Sequence, residues 1–218
     1  MAALLLSGMN YNVKLIDGDT IESSNSERQP LSGTNYCGKP KVKALEDVFG
    51  ILGRSGDNVF VNTYLDSFNI NDLLGDVDFI MDATDSFRSR ELINEYAVKS
   101  GKPWIYSSSH GSQGEIKLII PDKTSCLNCL TGGRKLVPMA CHSDSVDPEI
   151  PSLISLYTSR FITDYLERNI WDEDLYLISA LSRDVSKIMV KKDTHCRVCG
   201  FRDFKLLESH SITGRQLY

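Results

Sequence analysis

"LLGDVDFIMDATDS", residues 73–86, places the apolar run Phe79, Ile80, Met81 directly before two acids, Asp82 and Asp85. A run without polar alternation suits a strand covered on both faces, and such strands belong to sheets with helices on either side. The flanking sequence decides whether that sheet exists. Upstream, "YNVKLID" alternates and ends in Asp17, as a strand entering a functional loop does. "GKPKVKALEDVFGIL" (38–52) opens on a Gly-Lys-Pro turn and then reads as an amphipathic helix with Val42, Leu45, Val48 and Phe49 inward. "NVFVNTY" (58–64) is a second strand. Downstream, "RSRELINEYAVKSGK" (88–102) reads as a helix stopped by Ser-Gly, and "PWIYSSS" (103–109) as the next strand. This alternation predicts an α/β fold with a Rossmann-like, mostly parallel, doubly wound sheet.

The rhythm then changes. "GEIKLIIP" (114–121) follows its predecessor with no helix between them, so it should add in an antiparallel sense. A nucleotide-binding region over 1–122 and a different subregion over 123–218 are therefore expected within one continuous domain. In the latter, "IPSLISLYTSRFITDYLERN" carries Ile150, Ile154, Tyr157, Phe161 and Tyr165 at steps of three and four, one helical face turned to the core.

With 218 residues, 41% of them hydrophobic, the chain can bury a sizeable core. A net charge of -5 argues against broad nucleic-acid binding, which needs a concentrated positive field. The opening "MAALLLSGMN" has no basic flank, and neither it nor any later segment has the length to span a bilayer. The expected location is the cytoplasm, with no membrane partner.

The six cysteines are unevenly spread: Cys126 and Cys129 form one C-x-x-C, Cys196 and Cys199 another, and Cys37 and Cys141 stand alone. In a reducing compartment, two such knuckles match the tetrahedral sulfur coordination of structural zinc. Two disulfides, or pairs that never meet, are the alternatives.

In a doubly wound sheet, ligands bind outside the carboxyl ends of the strands. Asp17 and Asp19 end the first strand and are placed to bond ribose hydroxyls. Asn25, Arg28 and Gln29 follow in "SSNSERQP" (23–30), where the arginine's planar donors suit phosphate oxygens, and Lys41 adds a point charge at the start of the next helix. Asp85, after the later strand, suits magnesium bound beside phosphates. Each has a structural alternative: Asp19 capping a turn, Arg28 pairing with Glu22, Lys41 solvated, Asp85 capping the following helix. Taken together they outline a nucleoside triphosphate site.

"LIDGDTIESSNSERQ" (15–29), "GKPKVKA" (38–44), "DATDSFRSRELIN" (82–94), "CLNC" (126–129) and "CRVCG" (196–200) occur in the order found in the ThiF/MoeB/HesA family, relatives of ubiquitin-activating enzymes, and the resemblance runs over about residues 1–205. It implies ATP-dependent adenylation of the C-terminal glycine of a small ubiquitin-like sulfur-carrier protein ending in Gly-Gly, by a homodimer. By motif position it implies Asp17 on the ribose, Asn25, Arg28 and Lys41 on phosphates, Gln29 supporting that loop, and Asp85 on Mg2+. Cys141, with His142 beside it in "MACHSDSVDP", lies roughly where thiamine-type members carry a cysteine active in sulfur transfer. Two departures accompany these matches. The glycine-rich turn that relatives carry before the following helix is replaced by "SDSVDPEIPS", and the first strand and glycine-rich loop expected ahead of "MAALLLSG" are not present. The sequence therefore reads as a fragment, a misplaced start or a partner-dependent half. A non-catalytic scaffold subunit and a nicotinamide-dependent oxidoreductase on the same sheet are the alternatives to the adenylating enzyme.

Overall fold

The computed structural model describes residues 1–22, 36–54, 56–132 and 146–208, and the chain divides into two compact units, Met1–Leu65 and Asp66–Tyr218.

The first unit runs α1 (Ala2–Gly8), β1 (Lys14–Ile16), α2 (Lys41–Ile51) and β2 (Val59–Val61). β1 and β2 pair in parallel with Leu15 opposite Phe60. Pro40 precedes the first turn of α2, where its missing N–H costs nothing. The turn leading to it is pinned to the chain beyond β1: the Ile21 N–H donates to Lys39 O, and the Lys41 N–H to Asp19 O. Helix α2 buries Val42, Ala44 and Phe49, and the Phe49 ring meets Phe60 edge-on at 5.3 Å. Leu45 and Val48, also expected inside, are only half-buried, while Ala44 is buried in their place. The small side chain lets that face of the helix lie close.

The second unit begins with α3 (Ile70–Leu74), a short helix the periodicity did not reveal, followed by β3 (Ile80–Met81), α4 (Phe87–Ser100), β4 (Trp104–His110) and β5 (Gln113–Ile119). The knuckle helix α5 (Leu127–Leu130), the long α6 (Glu149–Arg168), the hairpin β6 (Asp174–Ser179) and β7 (Asp184–Met189), and α7 (Lys205–Glu208) complete it. The five strands order as β3-β4-β5-β6-β7. β3 and β4 are parallel, joined across α4, and the remaining three pairings are antiparallel.

The expected α/β fold with an antiparallel continuation is present, but the described pairings make it mixed rather than mostly parallel. Parallel pairing needs a crossover, and the tight turns between β4 and β5 and between β6 and β7 permit only an antiparallel return; β6, which follows α5 and α6, also lies antiparallel to β5. Helix α4 starts at Ser86, whose side chain accepts the Ser89 N–H, and stops at Gly101 in the left-handed conformation (φ 76), where the Ser-Gly signal placed its end. Phe79 is half-buried against Tyr165, with ring centroids 5.9 Å apart, and Ile80 is buried. Trp104, Ile105, Ile116, Ile119 and Ile150 are fully enclosed and form the heart of the core. No described helix is long and apolar enough to cross a membrane.

Candidate functional site

The two C-x-x-C knuckles meet. Cys126, Cys129, Cys196 and Cys199 bring their sulfurs within 4.8 Å of one another, with Cys126–Cys196 at 3.6 Å, Cys129–Cys199 at 3.4 Å and Cys126–Cys129 at 3.9 Å. A disulfide needs sulfurs about 2.05 Å apart. Four sulfurs each about 2.3 Å from a central ion stand about 3.8 Å from one another, so the donor set fits tetrahedral zinc. Local backbone bonds build each half: Cys129 N–H to Cys126 O in the first knuckle, and Gly200 N–H to Cys196 O in the second.

Outer donors touch the sulfurs. Asn128 Nδ2 reaches Cys196 Sγ at 3.3 Å, and the Asp193 N–H reaches Cys129 Sγ at 3.5 Å. Hydrogen bonding, first from Cys126, holds the Cys129 thiol down to about 6 and lowers Cys196 as well. Cys126 and Cys199 are raised within the same cluster, so each knuckle pairs one lowered thiol with one raised one.

Gly200 closes the second knuckle for a steric reason. A Cβ there would lie 2.3 Å from Thr194 O and 2.7 Å from Cys196 O, both backbone atoms held by the site. The Gly200→Ala variant is expected to lose about 1–3 kcal/mol of stability, read by thermal melting of the zinc-loaded protein. Wild-type melting would show that the knuckle has slack.

In the first unit, three of the expected nucleotide ligands interlock beyond β1. Asp17 Oδ1 accepts the Asp19 N–H at 2.8 Å, which closes the turn, so Asp17 caps it and Asp19 is the residue capped. Lys41 Nζ donates to Asp19 Oδ2 at 2.6 Å, and the Tyr64 hydroxyl to Asp19 Oδ1 at 3.1 Å. The bond from Lys41 lowers the Asp19 carboxyl below its ordinary value. Lys41 is therefore an oriented cation at the carboxyl end of a parallel strand. Asn25, Arg28, Gln29 and Cys141, with His142, lie outside the described residues.

In the second unit, the two acids after β3 have different fates. Asp82 is fully buried: its Oδ2 pairs with Arg90 Nε at 3.0 Å, and its Oδ1 accepts the Thr84 N–H and hydroxyl at 2.9 and 2.8 Å. Burial raises its carboxyl, against the pull of the Arg90 guanidinium. Asp85 is exposed and makes no hydrogen bond or ion pair among the described residues, since Ser86 takes the capping role at α4. Its chemistry suits a hydrated magnesium ion.

The sequence reading missed Tyr64, Arg90, Asn94, Glu95 and Arg197. A signal for two of them was present: Asn94 and Glu95 interrupt "LINEYAV" (92–98), whose apolar residues cover the whole helix circumference. All seven of those residues are buried, so the polar pair must find partners inside.

Comparison with known proteins agrees with these motifs. The ThiF family model matches residues 1–198. The "Sulfur carrier protein ThiS adenylyltransferase" of Bacillus subtilis (strain 168) is 28% identical over 220 residues, covering 97% of this chain and 64% of that relative. "Protein HesA" of Nostoc sp. (strain PCC 7120 / SAG 25.82 / UTEX 2576) is 23% identical over 188 residues, 85% of this chain and 74% of its own length. Among solved structures, E. coli MccB with ATP superposes with a TM-score of 0.74 at 17% identity, over 91% of this chain and 62% of that one, a likeness of fold. With the family model matching nearly the whole sequence, and the paired knuckles meeting as its motifs require, the chain belongs to the ThiF family.

Proposed function

We propose that the protein uses ATP to adenylate the C-terminal glycine of a small ubiquitin-like sulfur-carrier protein ending in Gly-Gly. The observation that carries this reading is the interlocked Asp17, Asp19 and Lys41 group at the end of a parallel strand, in a chain whose Bacillus subtilis relative is named a ThiS adenylyltransferase. In the reaction a carboxylate oxygen of the carrier attacks the α-phosphorus of ATP, the bond to the bridging oxygen breaks, and pyrophosphate leaves. Both reactants are anions, so catalysis rests on positioning and charge neutralisation.

Asp17 has an oxygen beyond its turn bond to accept from the ribose, and Lys41, steadied by Asp19, offers its ammonium to phosphate. Asn25 and Arg28 would join it, Gln29 would support their loop, and Asp85 would hold Mg2+. When bound there, Mg2+ would supply neutralisation of the phosphate charge. Cys141 would serve as the thiol in later sulfur transfer. On this reading residues 1–122 handle the nucleotide and 123–218 carry the zinc and meet the carrier, in a cytoplasmic homodimer.

Pyrophosphate exchange into ATP by the full-length protein provides the test. Exchange should require a carrier ending in Gly-Gly, and Lys41→Ala or Arg28→Ala should reduce it at least about tenfold, since lost charge stabilisation of a transition state costs at least that much. Exchange that ignores the carrier would refute the substrate assignment. Unchanged exchange in both variants would refute the phosphate assignment.

A further inference from the structure

Helix α4 holds the two halves of the cysteine cluster through consecutive residues. Asn94 Oδ1 accepts the N–H of Leu127, the residue after Cys126, at 3.0 Å. Glu95 is 1% exposed, and its Oε1 accepts from Arg197 Nη1 at 2.7 Å. Arg197 lies inside the second knuckle, and the same nitrogen donates to Asp203 O at 2.6 Å. The other Glu95 oxygen accepts the N–H groups of Leu206 and Leu207 at 2.8 and 3.2 Å, at the start of α7. One buried carboxylate therefore joins α4, the second knuckle and the C-terminal helix. The Arg202 guanidinium, on the Val98 carbonyl and over the Phe204 ring, reinforces the same junction.

We infer that Glu95 is a positioning residue for the metal centre, acting through Arg197, and that it makes metal binding and the docking of α7 one cooperative event. A buried carboxylate is tolerated only while its cation and donors are in place. If the second knuckle swings away, Arg197 leaves with it and Glu95 stays enclosed without its counter-charge. The cost of that state holds the knuckle closed before metal arrives, and hydrogen-bonded outer layers of this kind govern metal affinity in other sites. The inference depends on the four cysteines taking a metal and is independent of the adenylation reading.

The test is zinc affinity, measured by competition with a chromophoric chelator, together with amide hydrogen exchange of the zinc-loaded protein. Glu95→Gln keeps the shape and one acceptor oxygen while removing the charge and turning the other oxygen into a donor that cannot receive its present partners. It should weaken zinc binding by about tenfold to a hundredfold and speed exchange at Leu206 and Leu207 about tenfold or more, the order expected when a charged acceptor is lost. Arg197→Met should weaken zinc binding similarly, and the double variant should be little worse than Arg197→Met alone. Ile116→Val, a core change in β5 away from these contacts, should lower the melting temperature while leaving zinc affinity and the two amides unchanged. Zinc affinity within about twofold of wild type in both charge variants, the scatter of such a measurement, overturns the inference. So does unaltered exchange at Leu206 and Leu207, or an equal loss of affinity in Ile116→Val.

Discussion

The Cys196→Ser variant is expected to purify without bound zinc and to melt about 10–20 °C below the wild type, a loss of about 5 kcal/mol for a chain of this size. The sulfur it removes lies 3.6 Å from Cys126, a residue 70 positions earlier, so the metal closes a long loop that the unfolded chain would leave open. Structural zinc sites contribute their binding free energy directly to folding, and apparent values in small zinc peptides reach about 10–16 kcal/mol. Only part of that should appear here, because the second unit has its own core around Trp104, Ile105, Ile116 and Ile119. A strong chelator should bring the wild type down to the melting temperature of the variant and leave the variant unmoved. Metal analysis should give about one zinc per wild-type chain, as a closed four-thiolate site requires. A wild type that is metal-free and fully folded, or a variant that melts with it, would dismiss structural zinc.

The Arg90→Met variant should lose about 3–5 kcal/mol through a different mechanism, the stranding of a buried charge. Asp82 has no exposed surface, and the Arg90 Nε–H at 3.0 Å is its only cationic partner among the described residues. The guanidinium also donates to the carbonyls of Thr84 and Ser107, so its removal frees the turn after β3 as well. Adding Asp82→Asn should recover part of the loss, because the neutral amide pays less for burial. The pH dependence has a definite sign. Burial already raises the Asp82 carboxyl, and without Arg90 it would rise further. A raised carboxyl means that the folded state prefers the protonated form, so the variant's deficit should grow as pH rises through that value and shrink below the ordinary carboxylate range. Denaturant unfolding between pH 4 and 8 would show it, and a deficit independent of pH would mean that lost packing, rather than charge, is responsible.

Alternating apolar segments made much of the second unit readable in advance. The stop of α4 at Gly101 and the antiparallel return of β5 both follow from local signals, a Ser-Gly terminus and two strands with no helix between them. α3 and the β6–β7 hairpin were not read. The first is five residues long and buries only Ile70 and Leu74, too short a run to stand out as a period, and β7 is exposed along its whole length, so it carries no apolar alternation. On α6, the expected face is present, but Thr158 and Ser159 are more deeply buried than Tyr157 and Phe161, because small side chains allow the closest approach while the aromatics lie at the flank, with Phe161 against Tyr176 at 4.7 Å.

By itself the sequence determined the residue types and spacings that chemistry demands locally: two C-x-x-C knuckles, acids at strand ends, a lysine at a helix start, and the order of motifs that marks the family. Tertiary structure decided which of these groups meet and what state they are in. It brought Cys126 beside Cys196, buried Asp82 under Arg90 while leaving Asp85 in solvent, and tied Lys41 to Asp19. It also gave Glu95 its partners in a knuckle and a helix about a hundred residues away. Spacing along a chain constrains neighbours within a turn or a strand, whereas the charge state and partners of a side chain depend on burial and long-range contacts that only the folded chain creates.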